Sequence, residues 1–169
     1  MKTTRWLAVA SAVTLATIAA ACSESASMSQ SRSAGSMAEA PHDAELTFGA
    51  PAQPGEEDRV VEVTQLDEMR FDPPSIEVGA GETILFEVTN AGQVPHEFVL
   101  GDAELQAEHE QAMAEMSGAP MANEPNAIAV EPGETATIAW TFTESGALEY
   151  GCHVLGHYPA GMVGDLTVA

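Results

Sequence analysis

The chain has 169 residues, of which 26 are acidic and five are basic, and its formal charge at pH 7 is −21. This length allows one modest folded domain and argues against a multidomain enzyme. So acidic a chain repels phosphate backbones and anionic lipid headgroups, which excludes nucleic acid and electrostatic membrane docking as favoured partners. Cationic or metallic partners are favoured instead.

The first 21 residues have the pattern of an export signal. Lys2 and Arg5 precede an uncharged, mostly apolar run from Leu7 to Ala21, which is too short to span a bilayer comfortably. Small residues stand directly before Cys22, and this ending resembles a bacterial lipoprotein box, which implies that Cys22 is lipidated and becomes the mature N-terminus. Ordinary signal-peptidase cleavage is the alternative. Both routes predict an exported, periplasmic protein, which is attached to a membrane only if Cys22 carries lipid.

Residues 22–58 are rich in Ser, Ala, Gly, Pro and acidic residues, with few large apolar side chains. Such a segment buries too little apolar surface to repay the entropy of ordering. We therefore expect a disordered linker, followed by one folded domain over residues 59–169. Met28, Met37 and His42 lie in the linker, and we interpret them as solvated residues.

From residue 59 onward, short β-branched runs are separated by Pro, Gly, Asn and Asp. The strands predicted in this way cover residues 60–63, 75–78, 83–89, 97–100, 127–130, 135–142, 147–151 and 165–168. Seven or eight short strands in about 110 residues, without alternating helices, indicate an all-β, antiparallel Greek-key sandwich.

One segment departs from this pattern. Residues 103–116 are mostly strong helix formers, Asp102 is a suitable N-cap, and Gly118 and Pro120 end the helical stretch. We expect a short helical insert near residues 102–118, between two strands.

The C-terminal region contains the spacing Cys-x4-His-x4-Met, formed by Cys152, His157 and Met162, and His96 stands at the start of a distant strand. A thiolate and two imidazoles in one plane, with a weakly held thioether along the axis, form the ligand set of a blue-copper electron-transfer site. Any one of these residues alone could belong to the core or a loop, but the combination favours a metal. We predict that the four residues bind one type 1 copper ion, which alternates between Cu(I) and Cu(II).

The residues around this spacing have other predicted roles. His153 directly follows the cysteine, so in an extended chain its side chain points away from the metal and serves at the surface or in hydrogen bonds. We expect Leu155 and Tyr158 to form an apolar collar around His157.

These motifs resemble the cupredoxin family, particularly its plastocyanin- and azurin-like periplasmic members. The resemblance covers roughly residues 59–169, and the loop from Cys152 to Met162 is longer than that of plastocyanins and similar to auracyanin-type loops. It implies a Greek-key sandwich with one copper, with His96 and Cys152 buried and the ring edge of His157 near solvent as the electron port. Many members have Asn directly after the first histidine, where this chain has Glu97. We expect the Glu97 side chain to face solvent, because side chains alternate along a strand.

The helical insert contains a second set of soft ligands. His109, Met113 and Met116 follow helical spacing, and Met121 lies just beyond them. Imidazole and thioether groups can bind Cu(I), which makes these residues a candidate secondary copper site. The alternative, which we favour, is that the methionines pack the helix onto the sandwich.

Two functions are consistent with this sequence. The first is one-electron transfer in the periplasm, with a c-type cytochrome or a membrane oxidase or reductase as redox partner. The second is copper tolerance, storage or delivery, in contact with copper-handling proteins. The chain lacks a His-x-His pair and a second domain that could supply a further copper centre, so we expect no enzymatic activity. We also expect a monomer.

Overall fold

A computed structural model of the chain describes residues 46–116 and 124–169. The predicted signal segment, Cys22, the larger part of the predicted linker and Met121 lie outside these residues. Within the described ranges, no helix combines the length and the apolar character needed to cross a membrane.

In the described part of the chain, ten strands form two five-stranded sheets, and one helix lies between the sixth and seventh strands. The elements are β1 (Gly49–Pro51), β2 (Arg59–Leu66), β3 (Arg70–Asp72), β4 (Ser75–Val78), β5 (Thr83–Asn90), β6 (His96–Gly101), α1 (Ala103–Glu115), β7 (Ala127–Val130), β8 (Thr135–Phe142), β9 (Gly146–Gly151) and β10 (Val163–Val168). The strand order is β1-β8-β5-β2-β3 in the first sheet and β4-β10-β9-β6-β7 in the second. The predicted Greek-key β-sandwich is confirmed.

Not all strand pairs are antiparallel, however. β2 pairs with β5, and β4 with β10, in the parallel direction. Neither pair is joined by a hairpin, so nothing in the connections forces the two strands to run in opposite directions. Short β-branched runs predict the strands themselves but carry no information on their direction in the sheet.

The core lies between the two sheets. Phe86 of β5 and Phe98 of β6 are fully buried, and their ring centroids are 5.3 Å apart. Strand β6 is buried along its whole length, on both faces. One face lies against the core, and α1 packs against β6 and β9. The helical insert therefore shields the strand on which His96 stands.

The helix begins as the sequence predicts. The Asp102 carboxylate accepts a hydrogen bond from the Leu105 backbone N–H at 2.9 Å, which satisfies one of the free donors of the first turn. The last helical residue is Glu115, and Met116 is the C-cap.

The folded part of the chain starts before residue 59, so the predicted linker extends too far. β1 pairs with β8, and Phe48 is 5% exposed and stacks on Trp140 with ring centroids 5.2 Å apart. A single aromatic residue in a polar stretch gives little periodic signal, which explains the wrong boundary. Strand β3 was missed for a similar reason, since three residues are too few to show alternation.

The pairing of β9 with β10 brings both ends of the predicted metal loop together. Gly151 lies opposite Val163, and the backbone N–H of Cys152 donates to the carbonyl of Met162 at 3.1 Å. One residue pair further along, Gly164 lies opposite Tyr150. The ring of Tyr150 covers Gly164 so closely that a Cβ at this position would lie 2.2 Å from the ring.

We expect Gly164→Ala to destabilise the domain by about 1 to 3 kcal/mol, because the fully buried ring cannot move aside freely. Gly146→Ala is the matched control: Gly146 also lies in this strand pair, and a Cβ there meets no atom within 4 Å. Urea unfolding of both variants measures the difference. Equal stabilities would contradict the tight packing of Tyr150.

Candidate metal centre

Three of the four predicted copper ligands converge. His96 opens β6, Cys152 directly follows β9, and His157 lies in the loop between β9 and β10. The Sγ atom of Cys152 is 3.7 Å from Nδ1 of His96 and 3.4 Å from Nδ1 of His157. One ligand atom from each residue lies within 4.8 Å of the others, as a shared metal ion requires.

The sulfur lies in a position that is closed to solvent. Cys152 and His96 are fully buried, and His157 is half-buried. Burial raises the pKa of the Cys152 thiol to about 11, against the opposing effect of the backbone N–H groups of Glu97 and Val154. The Glu97 N–H donates to the sulfur at 3.3 Å. A thiolate here needs further positive charge, which a bound metal cation would supply.

Asp67 orients the first histidine. The Nε2 atom of His96 donates to the Asp67 carboxylate at 3.2 Å, so Nδ1 directs its lone pair toward the sulfur. The carboxylate is fixed in turn by the Gln93 N–H at 2.8 Å, and hydrogen bonds from Gln93 and His96 lower the pKa of Asp67. Gly92 makes room, since a Cβ there would lie 2.0 Å from the carboxylate. The role of Asp67 was not predicted, because this residue lies in a turn without any distinguishing sequence pattern.

The loop that carries His157 and Met162 is a series of tight turns. The His157 N–H donates to the Val154 carbonyl at 2.8 Å, and the Met162 N–H to the His157 carbonyl at 3.1 Å. Gly156 and Gly161 have φ angles of +88° and +98°, a region that favours glycine. Met162 is fully buried at the end of these turns.

The donor set has the chemistry that copper prefers. One sulfur and two imidazole nitrogens suit both Cu(I) and Cu(II). The fourth predicted ligand, the thioether of Met162, belongs to the residue whose backbone carbonyl accepts a hydrogen bond from the Cys152 N–H. Burial lowers the pKa of His157, and the neighbouring His96 lowers it further, which favours the neutral ring that can bind a metal through Nδ1. The residues therefore fit a single copper ion.

The prediction for Glu97 was wrong. Its side chain is buried, because α1 covers the outer face of β6 and leaves no solvent-facing side. The carboxylate Oε2 lies 3.9 Å from Nε2 of His109, and neither of these two buried atoms has a hydrogen-bond partner among the residues that the structure describes. Alternation along one strand could not show that a helix covers its second face.

The described residues of the candidate secondary site differ in exposure. His109 and Met113 are buried, whereas Met116 is 43% exposed. The Nδ1 atom of His109 lies 2.9 Å from the Glu124 carboxylate. Burial lowers the pKa of His109, but the carboxylates of Glu124 and Glu97 outweigh this effect and raise the pKa to about 9.

His153 has the hydrogen-bonding role that sequence analysis allowed, and not the surface role. It is fully buried, with Nδ1 at 2.8 Å from the Glu110 carboxylate and Nε2 at 2.6 Å from the Gln106 side-chain oxygen. Tyr158, expected beside His157, stacks on the His153 ring with centroids 4.6 Å apart. The other expected collar residue, Leu155, is 64% exposed.

Comparison with known proteins agrees with this geometry. Residues 58–169 match the family model for copper binding proteins of the plastocyanin/azurin family, and the chain belongs to this family. The copper-resistant cuproprotein CopI of Pseudomonas aeruginosa is 41% identical over an alignment of 149 residues. The match covers 72% of this chain and 82% of that protein.

Two solved structures show the same fold. Auracyanin B is 27% identical, with a TM-score of 0.59, and the match covers 72% of this chain and 96% of auracyanin B. Auracyanin A of Chloroflexus aurantiacus, described as a blue copper protein, is 28% identical, with a TM-score of 0.55 and coverage of 65% and 98%. The expected cupredoxin-like fold and family are confirmed.

We expect the free energy of unfolding to fall between pH 6.5 and pH 9, by on the order of 3 kcal/mol, because of His109. A raised pKa in the folded state means that the charged ring stabilises the fold fully below its unfolded pKa of 6.5. That contribution is lost as the pH rises through about 9. The groups facing the ring are Glu97 of β6, Glu124 before β7, and His153.

Urea unfolding at several pH values, in the wild type and in His109→Gln, checks this expectation. The variant should show a flatter pH dependence, whereas the exposed control Glu108→Gln should follow the wild type. An unchanged slope in His109→Gln would show that the ring is not a stabilising cation.

Proposed function

We propose that this protein is an exported, type 1 copper protein of the periplasm that transfers single electrons. The observation that carries the proposal is the convergence of Cys152 Sγ with the Nδ1 atoms of His96 and His157, within 4.8 Å of one another. Membership of the plastocyanin/azurin family and the likeness to auracyanin A, a blue copper protein, support it. Met162 would be the fourth residue that holds the copper, and a lipid on Cys22 would attach the protein to a membrane.

The copper ion and the buried residues would have different roles in such a site. Bound copper would supply the change between Cu(I) and Cu(II). His96 and Cys152 exclude water because both are fully buried. A rigid, dry surrounding keeps the ligands in place when the charge changes, which favours fast electron transfer.

His157 would be the contact with the redox partner, since it is half-buried whereas the other predicted ligands are fully buried. Leu155, two residues earlier, is an exposed apolar side chain that can pack against a partner. The strongly acidic chain would attract a cationic partner such as a c-type cytochrome, which raises the rate of encounter.

Cys152→Ala should abolish the intense thiolate-to-copper absorption of the copper-loaded protein, because the variant lacks the thiol whose Sγ lies 3.7 Å from Nδ1 of His96 and 3.4 Å from Nδ1 of His157. The measurement is the visible spectrum during titration with Cu(II). Cys22→Ala removes the other cysteine of the chain and is the matched control, with an unchanged spectrum expected. A Cys152→Ala variant that kept its colour would refute the site.

Copper tolerance, storage or delivery is the second candidate function. The similar protein from P. aeruginosa is named a copper-resistant cuproprotein. Among the described residues, Nε2 of His109 is buried without a hydrogen-bond partner, and the buried Met113 is one helical turn away. After loss of the ring proton, His109 would bind a further Cu(I) ion together with Met113, and Met116 and Met121 are the other predicted ligands.

In this case the wild type should bind more than one Cu(I) ion. The triple variant His109→Gln, Met113→Leu, Met116→Leu should bind one fewer, while the control Met69→Leu keeps the wild-type number. Titration of the reduced protein with Cu(I), against a chelator of known affinity, measures the stoichiometry. Equal numbers in the wild type and the triple variant would exclude the additional site.

A further inference from the structure

Gln106 of α1 forms hydrogen bonds with two strands of the second sheet and with the loop that follows β9. The residue is fully buried. Its Nε2 group donates to the carbonyl of Val99 in β6 at 2.8 Å and to the carbonyl of Glu149 in β9 at 3.1 Å. Its Oε1 atom accepts a hydrogen bond from Nε2 of His153 at 2.6 Å. One side chain of the helical insert therefore joins the strand of the first predicted ligand, the strand that leads to Cys152, and the metal loop.

The orientation of this amide is determined by its partners. Rotation of the amide by half a turn would place Oε1 against two carbonyl oxygens, so Nε2 must face Val99 and Glu149. The Nε2 atom of His153 is then necessarily a donor. On the other side of the ring, Nδ1 is bound to Glu110, also of α1, at 2.8 Å.

The His153 ring is enclosed on its faces as well. Tyr158 stacks on it with an interplanar angle of 21°, and the centroid of the His109 ring is 4.7 Å away. The Tyr158 hydroxyl donates to the Glu149 carboxylate at 2.6 Å, which fixes the stacking ring. With both nitrogens bonded and the faces covered, the imidazole has one position only.

The residue before Cys152 is fitted to the same cluster. A Cβ on Gly151 would lie 2.7 Å from Oε1 of Gln106 and 3.0 Å from Nε2 of His153. The backbone on both sides of Cys152 thus packs against α1. The insert also reaches the other buried ligand, because the carboxylate of Glu97, the residue after His96, lies 3.9 Å from Nε2 of His109.

We propose that Gln106 and Glu110 are positioning residues of the copper site, which act through His153 to hold the sulfur of Cys152 in place. This inference rests on the proposed copper function. A site of this kind works only if its ligands are held within roughly 0.5 Å of the required geometry. Loss of partners that orient ligands typically weakens metal binding by roughly 10- to 100-fold. The insert is then part of the metal centre, although none of its residues in this network binds the metal.

The experiment compares Gln106→Leu with Gln111→Leu, its matched control, in which an exposed glutamine of the same helix is replaced. Glu110→Ala and Glu110→Gln form a second pair, because only the amide retains a group that can hydrogen-bond with Nδ1 of His153. The readouts are the visible spectrum and reduction potential of the copper-loaded protein, its Cu(I) affinity in competition with a chelator, and the unfolding free energy without copper.

We expect Gln106→Leu and Glu110→Ala to shift the absorption bands and the potential and to lower the Cu(I) affinity by roughly 10- to 100-fold. Gln111→Leu and Glu110→Gln should stay close to the wild type. Altered stability with unchanged spectrum, potential and affinity would overturn the inference, since it would show a purely structural role. If Gln106→Leu does not fold, the two Glu110 variants decide by the same criteria. A wild type that bound copper without the thiolate absorption would instead refute the proposed function itself.

Discussion

The position of the Cys152 sulfur depends on the register of β9 between its two neighbours. Gly151 lies opposite Val99 of β6 on one side and opposite Val163 of β10 on the other. The chain leaves the sheet directly after this residue, so the sulfur emerges between the start of the strand that carries His96 and the end of the loop that carries Met162. A shift of the register by one residue would turn Cys152 to the opposite face and separate it from both histidines.

The helical insert changes the character of the strand beside this point. Because α1 covers the outer face of β6, groups that would otherwise be solvated are buried next to the metal centre, among them Glu97, His109 and His153. Buried polar groups usually have hydrogen-bond partners. Those of His153 tie the insert to the residue that follows Cys152. Glu97, the residue that follows His96, lies 3.9 Å from His109 of the insert without a hydrogen bond between the two side chains. This network distinguishes the site from a simple cluster of four ligands on a sandwich.

The fold class could be predicted from the sequence, and so could the three predicted ligands that converge. Ligand type and spacing identify Cys152 and His157, and His96 stands out at the start of a strand. Other features depend on tertiary contacts that no local pattern encodes. Asp67 lies in a turn and contacts His96 across 29 residues of sequence. Glu97 is buried because a helix covers it. Phe48 lies in the core and precedes a strand of only three residues. Patterns along one element predict that element, whereas the covering of a second face depends on another part of the chain.

According to the proposed function, one copper ion binds between Cys152, directly after β9, and His96 at the start of β6. X-ray absorption at the copper edge of protein loaded with one equivalent of copper tests this directly. We expect one short copper–sulfur bond and two copper–nitrogen bonds. The short copper–sulfur bond should be absent in Cys152→Ala. A spectrum with only nitrogen and oxygen ligands in the wild type would place the metal elsewhere and contradict the account.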